Sequence, residues 1–144
     1  DGGIIGLPPV SAGSTRLFLS GEKAGPVQAL FDGTALDARI VTEGGPYGAS
    51  AVKMAYAAWT KGSAALLLAA RELAEACGVS EALLAEWGRS QPALAGRLAG
   101  ASQSAATKGW RWIAEMEEIA ATMRAAGLPP GFHEAAAEIY RRSG

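Results

Sequence analysis

At 144 residues, 49% hydrophobic and 19% charged, the chain has material for one domain, or for one small domain and part of another. That balance excludes disorder, which goes with low hydrophobicity and high net charge. A formal net charge of -1 offers no basic face to nucleic acid or to an acidic membrane. One Cys and one His exclude a disulfide framework and the usual four-ligand zinc site, so no metal is expected. The lone thiol fits a reducing, cytoplasmic setting. The chain begins Asp1-Gly2-Gly3 with no initiator Met, and ten of its 19 glycines lie in the first 48 residues. Residues 2–9 are apolar but too short, and lack the basic flank, for a signal peptide. The start therefore reads as a cut.

Short apolar runs alternate with turn residues up to Gly48. Residues 3–6 and 16–20 read as strands, the second closed by Gly21. Residues 24–31 read as a short helix and 38–42 as a third strand. Three short strands around one helix make no self-sufficient core, and are expected to be the edge of a larger sheet.

Beyond Gly44-Gly45-Pro46-Tyr47-Gly48 the β pattern stops. Val52, Tyr56, Trp59, Leu66, Leu67, Ala70, Leu73, Ala74 and Cys77 recur at helical spacing. No proline interrupts residues 49–77, and Gly78 supplies a C-terminal stop. A helix of that length spans about 43 Å. Polar residues are few along most of it, so it is expected at the centre of its domain, surrounded by partners. Ser80 is expected to cap a helix over 81–87. Pro92 fits the first turn of another helix reaching residue 106. Residues 108–126 predict a fourth helix, with Trp112, Met116, Ile119 and Met123 on one stripe. Pro129-Pro130 restarts the chain into a last helix over 132–142.

Lys53 is the most informative side chain. An ammonium among Val52, Met54, Ala55 and Ala57 bears a desolvation cost. Burial there would favour its neutral form and let it exchange protons near neutrality. The alternative is a lysine whose stem covers apolar surface while its head stays in water. Ser50 and Lys53 also match Ser-x-x-Lys, the nucleophile motif of penicillin-binding enzymes. Ser20 and Lys23 match it equally, and neither Ser-Asp-Asn nor Lys-Thr-Gly follows. Gly2-Gly3-Ile4-Ile5-Gly6 lacks the first glycine and the strand-to-helix context of a dinucleotide fingerprint. Trp110-Arg111-Trp112 could stack bases, but the near-neutral chain favours burial. Arg111 can pair with Glu115 at i,i+4. His133 is expected to be an exposed bystander, and Cys77 to serve in packing.

The order is strand, short helix, strand, Gly-rich hinge, lysine near the start of a very long helix, then a helical bundle. It resembles the second half of the β-hydroxyacid dehydrogenases, the superfamily of phosphogluconate and 3-hydroxyisobutyrate dehydrogenases. Gly48-Ala-Ser-Ala-Val-Lys53-Met54 is similar to their hinge and catalytic lysine. Residues 1–6 resemble the strand of their substrate loop, and residues 17–21 the strand ending in a glycine pair. Residues 109–120 and 127–133 resemble a branch known only for a phosphogluconate-dehydrogenase-like C-terminal domain.

The resemblance implies a mainly α fold, an all-helical dehydrogenase C-terminal domain on one long central helix over 44–144. Residues 1–43 would then be a short α/β remnant of a Rossmann domain. It implies an NAD(P)-dependent oxidoreductase acting on a hydroxy acid or related carbonyl compound. Lys53 would be the catalytic proton donor and acceptor, with Gly6, Tyr56 and Glu115 at the substrate. NAD or NADP would be bound mainly upstream, and the helical domain would form a homodimer with no nucleic-acid or membrane partner. The chain departs from the family at three places. The asparagine one turn after the lysine is Ala57, the loop Ser-Gly-Gly reads Ile5-Gly6-Leu7, and Glu115-Met116 stands where many members carry Lys-Asp. Glu115 would disfavour an anionic substrate group at that point. A non-catalytic helical dimerisation module is the alternative. An imine reductase-like enzyme is another, against which Lys53 itself counts.

Overall fold

The computed structural model describes residues 1–143. It is mainly helical, preceded by a small three-stranded mixed sheet. Strands β1 (Gly2–Gly6) and β2 (Thr15–Leu19), helix α1 (Ala24–Ala29) and strand β3 (Leu36–Ile40) come first. A 3-10 turn at Gly45–Tyr47 leads into α2 (Gly48–Ala76), α3 (Ser80–Ser90), α4 (Leu94–Ala125) and α5 (Gly131–Ser143). The residues form two compact units, Asp1–Tyr56 and the chain from Ala57 onwards, so α2 contributes to both. No described helix is long and apolar enough to cross a membrane.

In the first unit β1 runs antiparallel to β2, with Gly3 opposite Phe18, and β2 runs parallel to β3, with Leu17 opposite Ala38. Parallel neighbours need a crossover, and α1 supplies it. Alternation along β2 buries Thr15, Leu17 and Leu19 on one face. Leu17, Leu19 and Ala24 form a small core with Val27, Phe31, Leu36 and Ala38 packed on it. The Gln28 amide donates to the Ala38 carbonyl at 2.7 Å, tying α1 to β3.

In the second unit α2 ends where its sequence predicts. Gly78 takes φ +70°, its amide donates to the Glu75 carbonyl at 3.1 Å, and the Val79 amide donates to the Ala74 carbonyl at 2.9 Å. This is a Schellman turn, which satisfies the last carbonyls and favours glycine at the left-handed position. It delivers the chain directly into α3, so Ser80 is already helical and the capping position falls to Val79, whose side chain makes no cap. Helices α4 and α5 pack antiparallel, bracketed by ion pairs of Arg124 with Glu134 and of Arg141 with Glu117. Leu68, Met116, Ile119 and Tyr140 are fully buried, joined by Ala65, Ala120, Ala136 and Ala137.

Three further expectations change. The two helices predicted over 92–126 are one helix of 32 residues. Its interior contains no proline, and each glycine costs only about 1 kcal/mol against alanine. Gly109 is buried, and a Cβ there would stand 3.7 Å from the Tyr140 carbonyl, so a small residue suits the approach of α5. Helix α2 is not enclosed: Trp59, Leu66 and Leu73 remain 69%, 57% and 66% exposed. Cys77, expected in packing, lies just beyond the helix end and is exposed.

Candidate functional site

The first turn of a helix leaves backbone N–H groups without intrahelical acceptors. At α2 two of them are accepted by side chains distant in sequence. The Ala49 amide donates to Ser20 Oγ at 3.0 Å and the Ser50 amide to Asp1 Oδ2 at 2.8 Å. The Ser50 hydroxyl donates to Asp1 Oδ1 at 2.6 Å. Ser20 Oγ in turn lies 3.0 Å from the Pro46 carbonyl and 3.2 Å from Asp1 Oδ2. A carboxylate at the positive end of a helix is favourable. Asp1 and Ser20 therefore fasten the ends of β1 and β2 to the start of α2. Sequence reasoning did not find this cap, because capping rules look to the residue just before the helix. The one available signal is negative: the 29-residue helix beginning at Gly48 follows Tyr47, which is not a capping residue type. Ser50 is a partner of Asp1 here, which leaves the Ser-x-x-Lys reading without its nucleophile.

Gly3 brings β1 against the same turns. A Cβ at Gly3 would lie 2.7 Å from the Ala49 carbonyl oxygen and 3.1 Å from Lys53 Cβ. No side chain fits there, so the Lys53 stem is held directly beside the strand. Lys53 itself is exposed, in the manner of the solvent-reaching alternative and not of the buried one. The physical reason is local: the strand surface beside it is glycine, too small to cover a four-carbon stem. Tyr56, one turn on from Lys53, is 49% exposed. Gly6 ends β1 with φ +126°, close over the Ser14 carbonyl. Ile5, where the resembled loop has serine, is buried. The first unit thus brings together Lys53, Tyr56 and β1, with Gly6 at the strand's far end.

Glu115 belongs to the second unit. Its carboxylate is ion-paired with Lys61 of α2, not with Arg111 one turn away. The Lys61 ammonium also lies 5.8 Å from the Trp112 ring centroid, and Arg111 stands over the exposed Trp110 ring at 5.7 Å. Pairing with Lys61 offsets the charge of Glu115, and with it the repulsion of an anionic group expected from Glu115 alone. Trp112 meets Tyr140 edge-on, 5.2 Å between centroids. The Tyr140 hydroxyl donates to the Lys61 carbonyl at 2.6 Å. Burial pushes this phenol well above its ordinary range, and a backbone hydrogen bond at Ala65 offsets part of the rise.

His133 is the clearest correction among side chains. Expected to be exposed, it is 4% exposed, with Nε2 3.4 Å from the Ala58 carbonyl. The reason is Gly62, whose missing side chain makes room: a Cβ there would lie 3.4 Å from His133 Nε2 and 3.0 Å from the Phe132 ring. Among the described residues no cluster of three or more His, Cys, Asp or Glu could hold a metal ion.

Residues 74–143 match a family model described as a domain of unknown function, DUF1932. No curated protein matches the chain. Two solved structures resemble nearly all of it. A conserved hypothetical protein from Sinorhizobium meliloti 1021 is 27% identical, with a TM-score of 0.77 over 97% of this chain and 47% of that one. The conserved protein MTH1747, of unknown function, is 25% identical, with a TM-score of 0.70 over 99% of this chain and 55% of that one. The structure of MTH1747 is described as revealing structural similarity with 3-hydroxyacid dehydrogenases. This chain spans about half the length of the solved structures it matches.

Proposed function

We propose that the chain is the C-terminal catalytic and dimerisation portion of an NAD(P)-dependent oxidoreductase acting on a hydroxy acid or related carbonyl compound. The observation that carries this reading is the seat of Lys53, fixed beside β1 by the Gly3 contact on a helix start that Asp1 and Ser20 fasten. A general acid must be held where its proton can reach a reacting oxygen. The likeness to MTH1747, itself likened to 3-hydroxyacid dehydrogenases, supports the same class. In this role Lys53 gives a proton to the substrate oxygen in reduction and takes it back in oxidation. Tyr56 and Gly6 would line the substrate's approach, while Glu115 of the second unit is held in its pair with Lys61.

The start of α2 does not fit the dinucleotide's pyrophosphate. A pyrophosphate needs free amides at a helix N-terminus, and those of Ala49 and Ser50 are engaged by Ser20 and Asp1. In this reading NAD or NADP is held by chain outside these residues. The test uses the full-length protein, a panel of hydroxy and oxo acids, and nicotinamide absorbance. Lys53→Ala is expected to lower kcat about 10²- to 10⁴-fold while the folded state persists. Unchanged turnover in that variant would overturn the assignment.

A second reading, a helical dimerisation module without catalysis, is favoured by Ala57. It is buried where the resembled enzymes carry an asparagine. Absence of turnover with every substrate and both cofactors, in a protein that still dimerises, would select it.

A further inference from the structure

The second unit contains a cleft of about 250 Å³ between α2 and α4. Thr60, Ser63, Ala64 and Leu67 of α2 line one wall; Arg97, Gly100, Ala101, Ser104 and Trp112 of α4 line the other. Residues 60, 63, 64 and 67 and residues 97, 100, 101 and 104 recur at helical spacing, with Trp112 about two turns further on, so each set is one face of its helix. Small residues facing each other across two helices ordinarily let the backbones close until the space disappears. Here the space remains, and its lining mixes hydroxyls and a guanidinium with apolar groups. The cleft opens to solvent, and a lining that mixes a few polar groups with apolar ones suits a small ligand with a polar and an apolar end.

The lining is also polarised from end to end. Helix α5 follows α2 in direction, as His133 at Ala58 and Arg142 at Glu72 show, and α4 is antiparallel to α5. Thr60 and Trp112 therefore mark one end of the cleft, and Leu67 and Arg97 the other. Arg97 sits in the first turn of α4, where the helix dipole adds to its positive charge. It has no ion-pair partner among the described acidic residues, unlike Arg39, Arg71, Arg124, Arg141 and Arg142. Ser104 Oγ can donate along the wall, the Ser63 hydroxyl donates to the Thr60 carbonyl at 3.4 Å, and Leu67 and the Trp112 face supply apolar contact.

We infer that this cleft binds a small elongated organic acid, its carboxylate on Arg97 and its apolar tail laid towards Trp112. Arginine holds carboxylates through paired N–H donors. The volume lies below the range of drug-sized pockets, which keeps the ligand small. The inference uses residues of the second unit alone and does not depend on the role of Lys53.

Hexanoate, with hexanamide as its neutral counterpart, tests the inference by titration calorimetry and ligand-observed NMR on the intact chain. Hexanoate is expected to bind saturably, with a Kd on the order of 1 mM. Arg97→Gln, an exposed position, should weaken it by about tenfold or more, and hexanamide should bind wild type as weakly as hexanoate binds that variant. Ser104→Leu, which fills the cleft, should abolish binding while the helical circular dichroism persists. Absence of saturable hexanoate binding to the wild-type chain overturns the proposal. So does equal affinity in Arg97→Gln, or equal affinity for the amide.

Discussion

Gly3 decides how close a strand can come to the helix that bears Lys53. With 2.7 Å between a would-be Cβ and the Ala49 carbonyl oxygen, an alanine must displace backbone, because no flexible side chain stands in the way to yield. Gly3→Ala is therefore expected to cost about 1–3 kcal/mol, the range of overpacking in a closed core. Gly96 provides the contrast: it lies within α4, is not followed by proline, and a Cβ there meets nothing within 4 Å. Gly96→Ala should be neutral or stabilising by about 0.5–1 kcal/mol, since alanine loses less backbone entropy in a helix. Urea unfolding of the two variants checks both signs at once. A Gly3→Ala protein as stable as wild type would remove the close contact from any account of how Lys53 is held.

Between elements, Tyr140 links α5 to α2 through the Lys61 carbonyl. That carbonyl belongs to a helix interior, so removing the hydroxyl leaves it with its intrahelical partner. Tyr140→Phe should cost only about 0.5–1.5 kcal/mol, the net worth of one hydrogen bond. The same residue gives a pH dependence with a definite sign. Burial raises the folded-state value, so the native phenol keeps its proton while the unfolded one ionises above about pH 10. Its contribution is complete below that pH and is lost as pH climbs towards the raised folded value. Wild-type stability should accordingly fall more steeply above about pH 10 than that of Tyr140→Phe, by at most about 1.4 kcal/mol per pH unit. Parallel falls in the two proteins would show that the phenol is not buried in solution. The elements themselves differ in how far their sequences reveal them. The 29 residues of α2 were legible within one residue at each end, because an apolar period and a terminal glycine coincide. The unity of α4 was not, since its stretch around residues 99–109 is Ala, Ser, Gly and Thr and has no amphipathic stripe to follow. Neither His133 nor Glu115 was legible: the cavity that buries one and the lysine that pairs with the other come from α2, some 70 and 54 residues away. The fastening of α2 by Asp1 was hidden for the same reason, as its acceptor lies 49 residues from the amide it serves.

At the scale of the molecule, the exposed apolar residues of α2 are the feature least consistent with an isolated chain in water. Trp59, Leu66 and Leu73 fall seven residues apart and stay more than half exposed. A seven-residue step turns by only about 20° per heptad on a straight helix, so the three make one stripe. Single exposed hydrophobic side chains are ordinary, but an aligned row on one helix marks an interaction surface. The homodimer proposed for the helical portion would place this stripe against its counterpart in a second copy. A two-fold contact is self-complementary, so one substitution strikes both sides of it. Leu66→Glu puts two carboxylates into the contact and should convert the dimer to monomer in light scattering after gel filtration. Because Leu66 is already 57% exposed within the chain, the variant should keep its helical circular dichroism. Raising the salt concentration should leave the wild-type dimer intact, since an apolar contact is not screened as ion pairs are. A wild-type chain that is monomeric at high micromolar concentration, or a Leu66→Glu chain that dimerises like wild type, would leave the stripe to some other surface.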